Sequence, residues 1–271
     1  MSVKVSIIIS VYNKIRELKL IFAGLHRQTC TDFEVLIADD GSNETFVSDV
    51  AKLIAHAPFP VQHIWQEDMG FRKTKILNQA VVQSKSDYLI FIDGDCIPHR
   101  KFIEEHYKAA EKKVCLAGRR VNLSEKMSAE LTESQVREGF LENRFWQIFI
   151  EVLQKKATMI EKAVYLPSSK FRNWLNRKPG RILGCNFSIH KSDLLAINGF
   201  DERYVLTGHG EDSDIHFRLK LQGVEIRSFS YGAVQYHLYH RLLPRSEENQ
   251  AFYEMVFEQQ IAITPFGIKK F

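Results

Sequence analysis

Short apolar runs alternate with longer segments of helical periodicity over the first 120 residues. The runs are rich in β-branched residues and hardly interrupted by polar ones, as strands buried on both faces require. Predicted strands span Val3–Val11, Phe33–Ala38, Val61–Gln66, Tyr88–Ile92 and Val114–Ala117, and predicted helices span Lys14–Gln28, Thr45–Ala55, Lys73–Gln83 and Lys101–Lys112. This alternation predicts an α/β fold with a mostly parallel central sheet flanked by helices. The ligand crevice of such a sheet lies beyond the carboxyl ends of its strands.

The pattern changes after residue 120. Leu131–Lys162 has apolar residues at helical spacing and predicts one or two amphipathic helices. A strand-like piece then begins at Ile182, and a Gly-rich acidic segment leads into a helix that ends near Gln222. The remaining predictions are strands near Glu225–Phe229 and Ala233–His237, and a terminal helix with a tail in Leu242–Phe271. We therefore predict one domain over residues 1–271, with two halves (1–120 and 182–241), a helical insertion (121–181) and a C-terminal helix and tail (242–271).

The composition is that of a globular protein, with 45% hydrophobic and 26% charged residues among 271. It excludes disorder and low-complexity architecture. No segment approaches the roughly 20 apolar residues that span a bilayer, and the N-terminus lacks the pattern of a signal peptide. The four scattered cysteines form no CxxC pair, so we expect reduced thiols in a cytoplasmic protein.

The net charge of +4 is too small to indicate a nucleic-acid partner, but it is unevenly distributed. Residues Lys162–Arg181 contain six basic residues and no acidic one, together with Phe171 and Trp174. Such a segment is typical of a peripheral contact with an anionic membrane. A position over the acceptor site and an ordinary solvated helical insertion are the alternatives.

Two acidic clusters directly follow predicted strands. Asp93-Gly94-Asp95 ends the apolar run Tyr88–Ile92, and two carboxylates at this spacing can hold a hard divalent cation or divide between a cation and a ribose hydroxyl. Asp39-Asp40-Gly41-Ser42 follows the second strand, where a carboxylate can accept hydrogen bonds from a uracil imide or a ribose. The alternatives are a solvated turn for the first cluster, and an Asx turn with a helix N-cap for the second.

Two further clusters lie in the last third of the chain. In Gly208–Asp214, Glu211 and Asp212 follow glycines at a helix start, where a carboxylate can act as a general base or merely complement the helix dipole. His237 and His240 form an HxxH pair at a strand end, which is either a metal site or structural. No cysteine or third histidine lies near the pair in sequence, which argues against a zinc site made by this segment alone. A carboxylate from Asp95 would complete a site suited to Mn2+ or Mg2+.

A basic block, Gly70–Asn78, lies at a loop-to-helix junction. Its positive charges can neutralise a diphosphate, and a plain surface helix start is the alternative.

The order of these blocks resembles the family 2 inverting glycosyltransferases with the GT-A fold. The blocks are SIIISVYN, ADDGSNET, GFRKTKILNQA, YLIFIDGDC, GHGEDSDI and YHLYH. Within the family, they are most similar to the branch with bacterial chondroitin polymerase domains and animal β-galactosyltransferases. The resemblance covers about residues 3–120, the nucleotide-sugar half, and 182–241, the acceptor and catalytic half. One departure is His209, which stands where the related galactosyltransferases have an aromatic residue.

The resemblance implies a role for each matching position. Val11, Tyr12, Asp40 and Asp39 would hold the uridine, Arg72 and Lys75 would lie near the nucleotide or diphosphate, and Asp93 would contact ribose or sugar. Asp95 and His240, with His237 as co-ligand or substitute, would bind Mn2+ (or Mg2+). Asp212 would be the base, and Glu211 would contact the acceptor.

The implied function is metal-dependent, inverting transfer of a hexose or N-acetylhexosamine, Gal or GalNAc by resemblance, from a UDP-sugar to a hydroxyl. The acceptor would be a glycan or lipid-linked saccharide in bacterial surface polysaccharide synthesis, at the inner face of the cytoplasmic membrane. A sugar nucleotidyltransferase would have a Gly-rich phosphate loop after the first strand, and residues 10–14 contain no glycine. An inactive carbohydrate-binding module is a further alternative, against which the retained carboxylates and histidines argue.

Overall fold

A computed structural model describes residues 3–144, 164–206, 210–241 and 246–270. Within these residues the main sheet has seven strands in the order β3-β2-β1-β4-β8-β6-β9. They are β1 (Val5–Val11), β2 (Phe33–Asp39), β3 (Val61–Trp65), β4 (Tyr88–Asp93), β6 (Val114–Ala117), β8 (Asn186–His190) and β9 (Glu225–Ser228). β8 runs antiparallel to both of its neighbours, whereas the other pairings are parallel. The carboxyl ends of β1, β2, β4 and β6 therefore share one edge of the sheet.

Helices cover both faces of this sheet. They are α1 (Ile15–Leu25), α2 (Glu44–Ala55), α3 (Lys73–Gln83), α4 (Phe102–Lys108), α5 (Glu125–Glu130), α6 (Glu133–Arg137), α7 (Phe140–Asn143), α8 (Ser169–Leu175), α9 (Lys191–Ala196), α10 (Glu211–Leu221) and α11 (Glu247–Glu258). Ile7 and Ile9 of β1 pack into the core on one face, with Phe22 of α1, while Ile8 packs into the core on the other, with Ile76 of α3. Burial on both faces explains why the strand is apolar without interruption.

A second, small sheet joins β5 (Cys96–Pro98), β10 (Gln235–His237) and β7 (Val121–Asn122) in the order β5-β10-β7. The strand predicted near Ala233–His237 is present as β10, and it belongs to this small sheet and not to the main one. Because the chain turns at Gly94 after β4, β5 leaves the main sheet and offers its edge to β10. His237 lies opposite Cys96 in that antiparallel pair.

The region predicted as helical insertion is only partly within the described residues. From Leu131 onward, the chain forms two short helices, α6 and α7, and α6 begins at a Thr132 capping box with Gln135. Residues 145–163, which carry most of the predicted amphipathic pattern, lie outside the described range, and so do residues 242–245. None of the helices that the structure describes is both long and apolar enough to cross a bilayer.

The position of α10 is fixed by a buried ion pair. The Arg218 guanidinium donates to Asp214 Oδ2 from Nε at 2.8 Å, and its Nη1 donates to the carbonyls of Ile197 and Gly199, each at 2.9 Å. Arg218 is fully buried, and a buried guanidinium is tolerated only when its donors are paired in this way. The contacts join the helix that begins with Glu211 to the chain after β8.

Candidate active site

Asp93 lies where the carboxyl ends of β1 and β4 meet. Its Oδ1 accepts hydrogen bonds from Ser10 Oγ at 2.9 Å and from Lys73 Nζ at 2.8 Å. The next residue, Gly94, lies against the end of β1. A Cβ atom at this position would lie 2.8 Å from the Ser10 carbonyl oxygen, so only glycine fits. The glycine thus lets the chain turn with both carboxylates of the Asp93-Gly94-Asp95 motif at the sheet edge.

Lys73 joins this edge to the start of α10. Its ammonium pairs with Asp93 and lies 3.6 Å from Glu211 Oε1. Burial opposes the charge of Lys73, but the ion pairs with Asp93 and Glu211 raise its pKa. Burial likewise opposes ionisation of Asp93, whose pKa is nevertheless lowered to about 2 by the Lys73 ammonium. Burial raises the pKa of Glu211, an effect that Lys73 partly offsets.

The start of α10 depends on Gly210. Its φ of +126° lies in the region that favours glycine, and a Cβ there would lie 2.4 Å from the Tyr204 ring. Glu211 and Asp212 follow in the first helical turn, where the helix dipole favours negative charge. The Asp212 Oδ2 accepts a hydrogen bond from the Gly184 N–H at 3.1 Å, which orients this carboxylate. His209 lies outside the described residues.

Asp95 lies beside two histidines and the ammonium group of a lysine. The Nε2 atoms of His237 and His240 each lie 3.5 Å from an Asp95 oxygen and 3.2 Å from one another. Lys14 Nζ contacts Asp95 Oδ2 at 3.1 Å. The small sheet is what makes this cluster, since β5 follows Asp95 and β10 ends at His237.

These donors fit a divalent cation. One carboxylate and two imidazoles are a ligand set for Mn2+ and for other first-row divalent ions. Burial lowers the pKa of His237 to about 4, so the ring is neutral near pH 7 and can offer a nitrogen lone pair.

The two neighbouring aspartates at the turn after β2 have different surroundings. Asp39 is fully buried and accepts from the Ser42 N–H at 2.9 Å, while its other oxygen contacts His63 Nε2 at 2.8 Å. It therefore holds the turn and does not face the crevice. Asp40 Oδ2 accepts from the Arg72 backbone N–H at 2.8 Å, and burial raises the pKa of the Asp40 carboxyl.

Beside this turn lies an open cleft of about 690 Å³. Its lining residues are Asn13, Gly41, Ser42, Asn43, Glu44, Val47, Ser48, Trp65 and Asp68. Tyr12 is half exposed at the end of β1, and its hydroxyl donates to Asp68 Oδ2 at 2.9 Å. Val11 is buried, and its carbonyl accepts from the Asp40 N–H at 3.1 Å. The cleft thus has the size of a small-molecule site, with an exposed aromatic ring at its border.

Among the described ion pairs, the Asp93 carboxylate is not paired with the side chain of Arg72 or of Lys75, the two basic residues expected near the diphosphate. The Arg72 guanidinium donates to the Glu67 carbonyl. Lys75 is partly exposed on α3 and forms no ion pair with any residue that the structure describes. Lys73 makes the contact with Asp93 instead. The motif GFRKTKILN contains Lys73, but only the packing of α3 shows which of its basic residues points to the site.

Two family models match this chain. The model of "Glycosyl transferase family 2" matches residues 6–171, more than half of the chain. The chain belongs to glycosyl transferase family 2. A second family model, "N-terminal domain of galactosyltransferase", matches residues 167–241 of this family 2 chain. The predicted resemblance to chondroitin polymerase and galactosyltransferase domains is therefore confirmed.

Similar proteins cover most of this family 2 chain but are longer. Chondroitin synthase of Escherichia coli is 27% identical over 240 residues, which are 86% of this chain and 34% of that protein. A structure of GalNAc-T7 with UDP, GalNAc and Mn2+ matches with a TM-score of 0.65 and 13% identity, over 95% of this chain and 48% of that one. The mannosyltransferase PcManGT of Pyrobaculum calidifontis, solved with GDP-Man and Mn2+, matches with a TM-score of 0.56 and 16% identity, over 89% and 58%. The predicted GT-A-like α/β fold is confirmed.

Proposed function

We propose that this chain is a metal-dependent, inverting glycosyltransferase that moves a hexose or an N-acetylhexosamine from a UDP-sugar to a hydroxyl group. The observation that carries the proposal is the junction at Lys73. This ammonium joins Asp93, at the end of the donor-side strand β4, to Glu211, which is followed by Asp212 at the start of α10. A donor site and a candidate base thereby face the same place. Galactose or N-acetylgalactosamine is the proposed sugar, because the motifs are most similar to those of chondroitin polymerases and galactosyltransferases.

The uridine would lie against Tyr12, in the cleft bordered by Trp65 and Asp68. Asp40 would meet the base through an oxygen, while Asp39 would keep the turn in shape through its bonds to Ser42 and His63. Asp93 would contact ribose or sugar. The similar structure of GalNAc-T7, solved with UDP, GalNAc and Mn2+, supports this type of donor.

Asp95, His237 and His240 would hold the divalent cation. When bound, Mn2+ or Mg2+ supplies positive charge that stabilises the negative charge developing on the leaving diphosphate. Lys14, which pairs with Asp95 at 3.1 Å, would give up this contact and turn toward the nucleotide phosphates. No side chain then needs to protonate the leaving group.

Asp212 would act as the general base. A sugar hydroxyl has a pKa far above 7 and must lose its proton as it attacks, and a positioned carboxylate accelerates such a step by roughly 10²- to 10⁴-fold. A bond forms between the acceptor oxygen and C1, the bond from C1 to the diphosphate oxygen breaks, and the proton passes to Asp212. The Gly184 N–H fixes one oxygen of Asp212, and Glu211 would contact the acceptor. A single displacement of this kind converts an α-linked donor into a β-linked product.

The acceptor would be a glycan or a lipid-linked saccharide of bacterial surface polysaccharide synthesis, reached from the cytoplasmic side of the membrane. α8 supports a membrane contact. Phe171 and Trp174 are 48% and 53% exposed and stack on each other at 5.7 Å, and the Arg177 guanidinium lies 5.3 Å from the Trp174 ring. Arg172 is not part of this surface, because it is buried in an ion pair with Glu105. Lys162 lies outside the described residues.

We expect replacement of Lys170, Arg177 and Lys178 by serine to weaken binding to anionic vesicles. Each basic residue near a charged membrane contributes about 1 kcal/mol, so three lost charges reduce binding on the order of 100-fold. Flotation with phosphatidylglycerol-containing liposomes measures the change. Serine at the exposed positions Lys52, Lys126 and Lys220 is the matched control. Equal flotation of the two triple variants contradicts the membrane contact.

A panel of UDP-sugars tests the proposed function itself. In the presence of Mn2+, we expect slow release of UDP from one or two of them, with water as the acceptor, and loss of release on addition of EDTA. Incubation of UTP with sugar 1-phosphates in a parallel assay tests for pyrophosphate formation, the reaction of a nucleotidyltransferase. Pyrophosphate without UDP release would overturn the proposal. Saccharide binding without either reaction would indicate a carbohydrate-binding module.

A further inference from the structure

The two oxygens of Asp95 face different surroundings. Oδ2 contacts Lys14 Nζ at 3.1 Å and lies 3.5 Å from His240 Nε2, and the side chains of these partners are 41% and 35% exposed. Oδ1 lies 3.5 Å from His237 Nε2 and 3.6 Å from Cys96 Sγ, and both of these residues are buried. One carboxylate therefore separates an outer position, open to solvent, from an inner position that includes a thiol.

The inner position follows from the pairing of β5 with β10. Cys96 and His237 are direct cross-strand partners, and Asp95 precedes Cys96 in the chain. One ligand atom from each of the three residues lies within 4.8 Å of the others. Strand pairing alone brings the Cys96 thiol to the HxxH pair, because the two lie far apart along the chain.

The spacing of these atoms suits a tetrahedral ion. Bonds of about 2.0 Å to oxygen or nitrogen and about 2.3 Å to sulfur place neighbouring ligands roughly 3.3–3.5 Å apart. The observed separations from Asp95 Oδ1 are 3.5 Å to the imidazole nitrogen and 3.6 Å to the sulfur. The sulfur and the imidazole nitrogen lie within 4.8 Å of one another, so side-chain rotations can close all three atoms onto one ion.

We propose that Asp95, Cys96 and His237 form an inner cation site for a thiophilic divalent ion such as Zn2+, Co2+ or Cd2+. Thiolate ligands favour these ions, whereas Mg2+ and Mn2+ prefer oxygen ligands. On binding, a metal–sulfur bond replaces the S–H bond of Cys96 and the proton passes to solvent. The ion enters from the exposed side at Lys14 and His240.

The inner site has a consequence for catalysis that rests on the proposed function. A thiophilic ion bound there occupies Asp95 and His237, the same residues proposed to hold Mn2+ for the nucleotide. Zn2+ therefore inhibits by removing ligands from the outer position. Cys96 itself takes no part in the transfer reaction and sets which ion the cluster retains.

Cobalt absorption of the full chain, titrated with Co2+ without nucleotide, tests the site. We expect a saturable thiolate-to-cobalt charge-transfer band in the near ultraviolet, which Zn2+ abolishes by displacement. Cys96→Ser and Cys96→Ala should each lose the band and weaken Zn2+ binding by at least about 100-fold, beyond the loss seen when second-sphere partners of a metal are removed. Cys115→Ser, a buried cysteine of β6, is the matched control and should keep the band.

Three results overturn the assignment. The first is no band in the wild type, and the second is a band that persists in a folded Cys96 variant. The third is a band that is kept in the Cys96 variants and lost in Cys185→Ser, the buried cysteine near Cys96. Circular dichroism establishes folding of each variant. Calorimetry of UDP with Mn2+ on the same samples separates this proposal from the previous one. Mn2+-dependent UDP binding without a cobalt band would contradict the inner site and leave the proposed function standing. A cobalt band without Mn2+-dependent UDP binding would contradict the proposed function and support the inner site.

Discussion

Alanine in place of Asp95 is expected to remove Mn2+-dependent binding of UDP. Asp95 lies 3.5 Å from both His237 and His240, so its loss leaves two imidazoles without this carboxylate between them. Loss of an outer-sphere partner already costs a metal site 10- to 100-fold in affinity, and loss of a direct ligand should cost on the order of 100-fold or more. Calorimetry of UDP in the presence of Mn2+ measures this change.

The matched control is Asp49→Ala, which removes a partly exposed carboxylate paired with Lys52 on α2. Its Mn2+–UDP affinity should equal that of the wild type. The Asp95 variant should retain the metal-independent part of UDP binding, since the cleft beside Tyr12 does not involve Asp95. Unchanged Mn2+–UDP affinity in Asp95→Ala would contradict the assignment of the metal site.

Asparagine in place of Asp212 should leave donor binding intact and reduce transfer by roughly 10²- to 10⁴-fold. The amide is close in shape to the carboxylate, and its oxygen still accepts the hydrogen bond from the Gly184 N–H. What it loses is the capacity to accept a proton. The rate of UDP release from the donor that the wild type hydrolyses, measured at saturating donor, reports this loss, and Mn2+–UDP calorimetry reports donor binding.

Glu211→Gln is the informative comparison, because it changes the neighbouring carboxylate in the same helical turn. We expect this variant to lose less activity at saturating substrate than Asp212→Asn, since a residue that contacts the acceptor affects its binding more than the chemical step. Near-normal turnover in Asp212→Asn would mean that another group takes the proton.

Much of the site could be predicted from the sequence for a simple physical reason. Parallel strands bring their carboxyl ends to one edge, so the acidic residues at the ends of β2 and β4, which both pair with β1, lie along the same edge. The strand cores were also predictable, since burial on both faces leaves an uninterrupted apolar run. The ends of the helices were harder to predict. The helix predicted over Lys14–Gln28, for example, ends at Leu25 in the structure.

Contacts that depend on packing between distant segments were not predictable. The ion pair of Lys73 with Asp93 and Glu211 requires both α3 and α10 to be docked, and no local pattern distinguishes Lys73 from Arg72 or Lys75. The small sheet contains strands of two and three residues, too short to give a periodic signal. Its pairing nevertheless places Cys96 opposite His237.

The bridge made by Lys73 also constrains how this enzyme can be rebuilt. The two family models meet near residue 170, which suggests an exchange point for joining the donor half of one transferase to the acceptor half of another. Lys73 belongs to the first half and Glu211 to the second. A chimera that keeps Lys73 but brings in a neutral residue at position 211 would leave a buried ammonium with one carboxylate fewer. Exchange of acceptor halves therefore has to carry a matching charge at the junction.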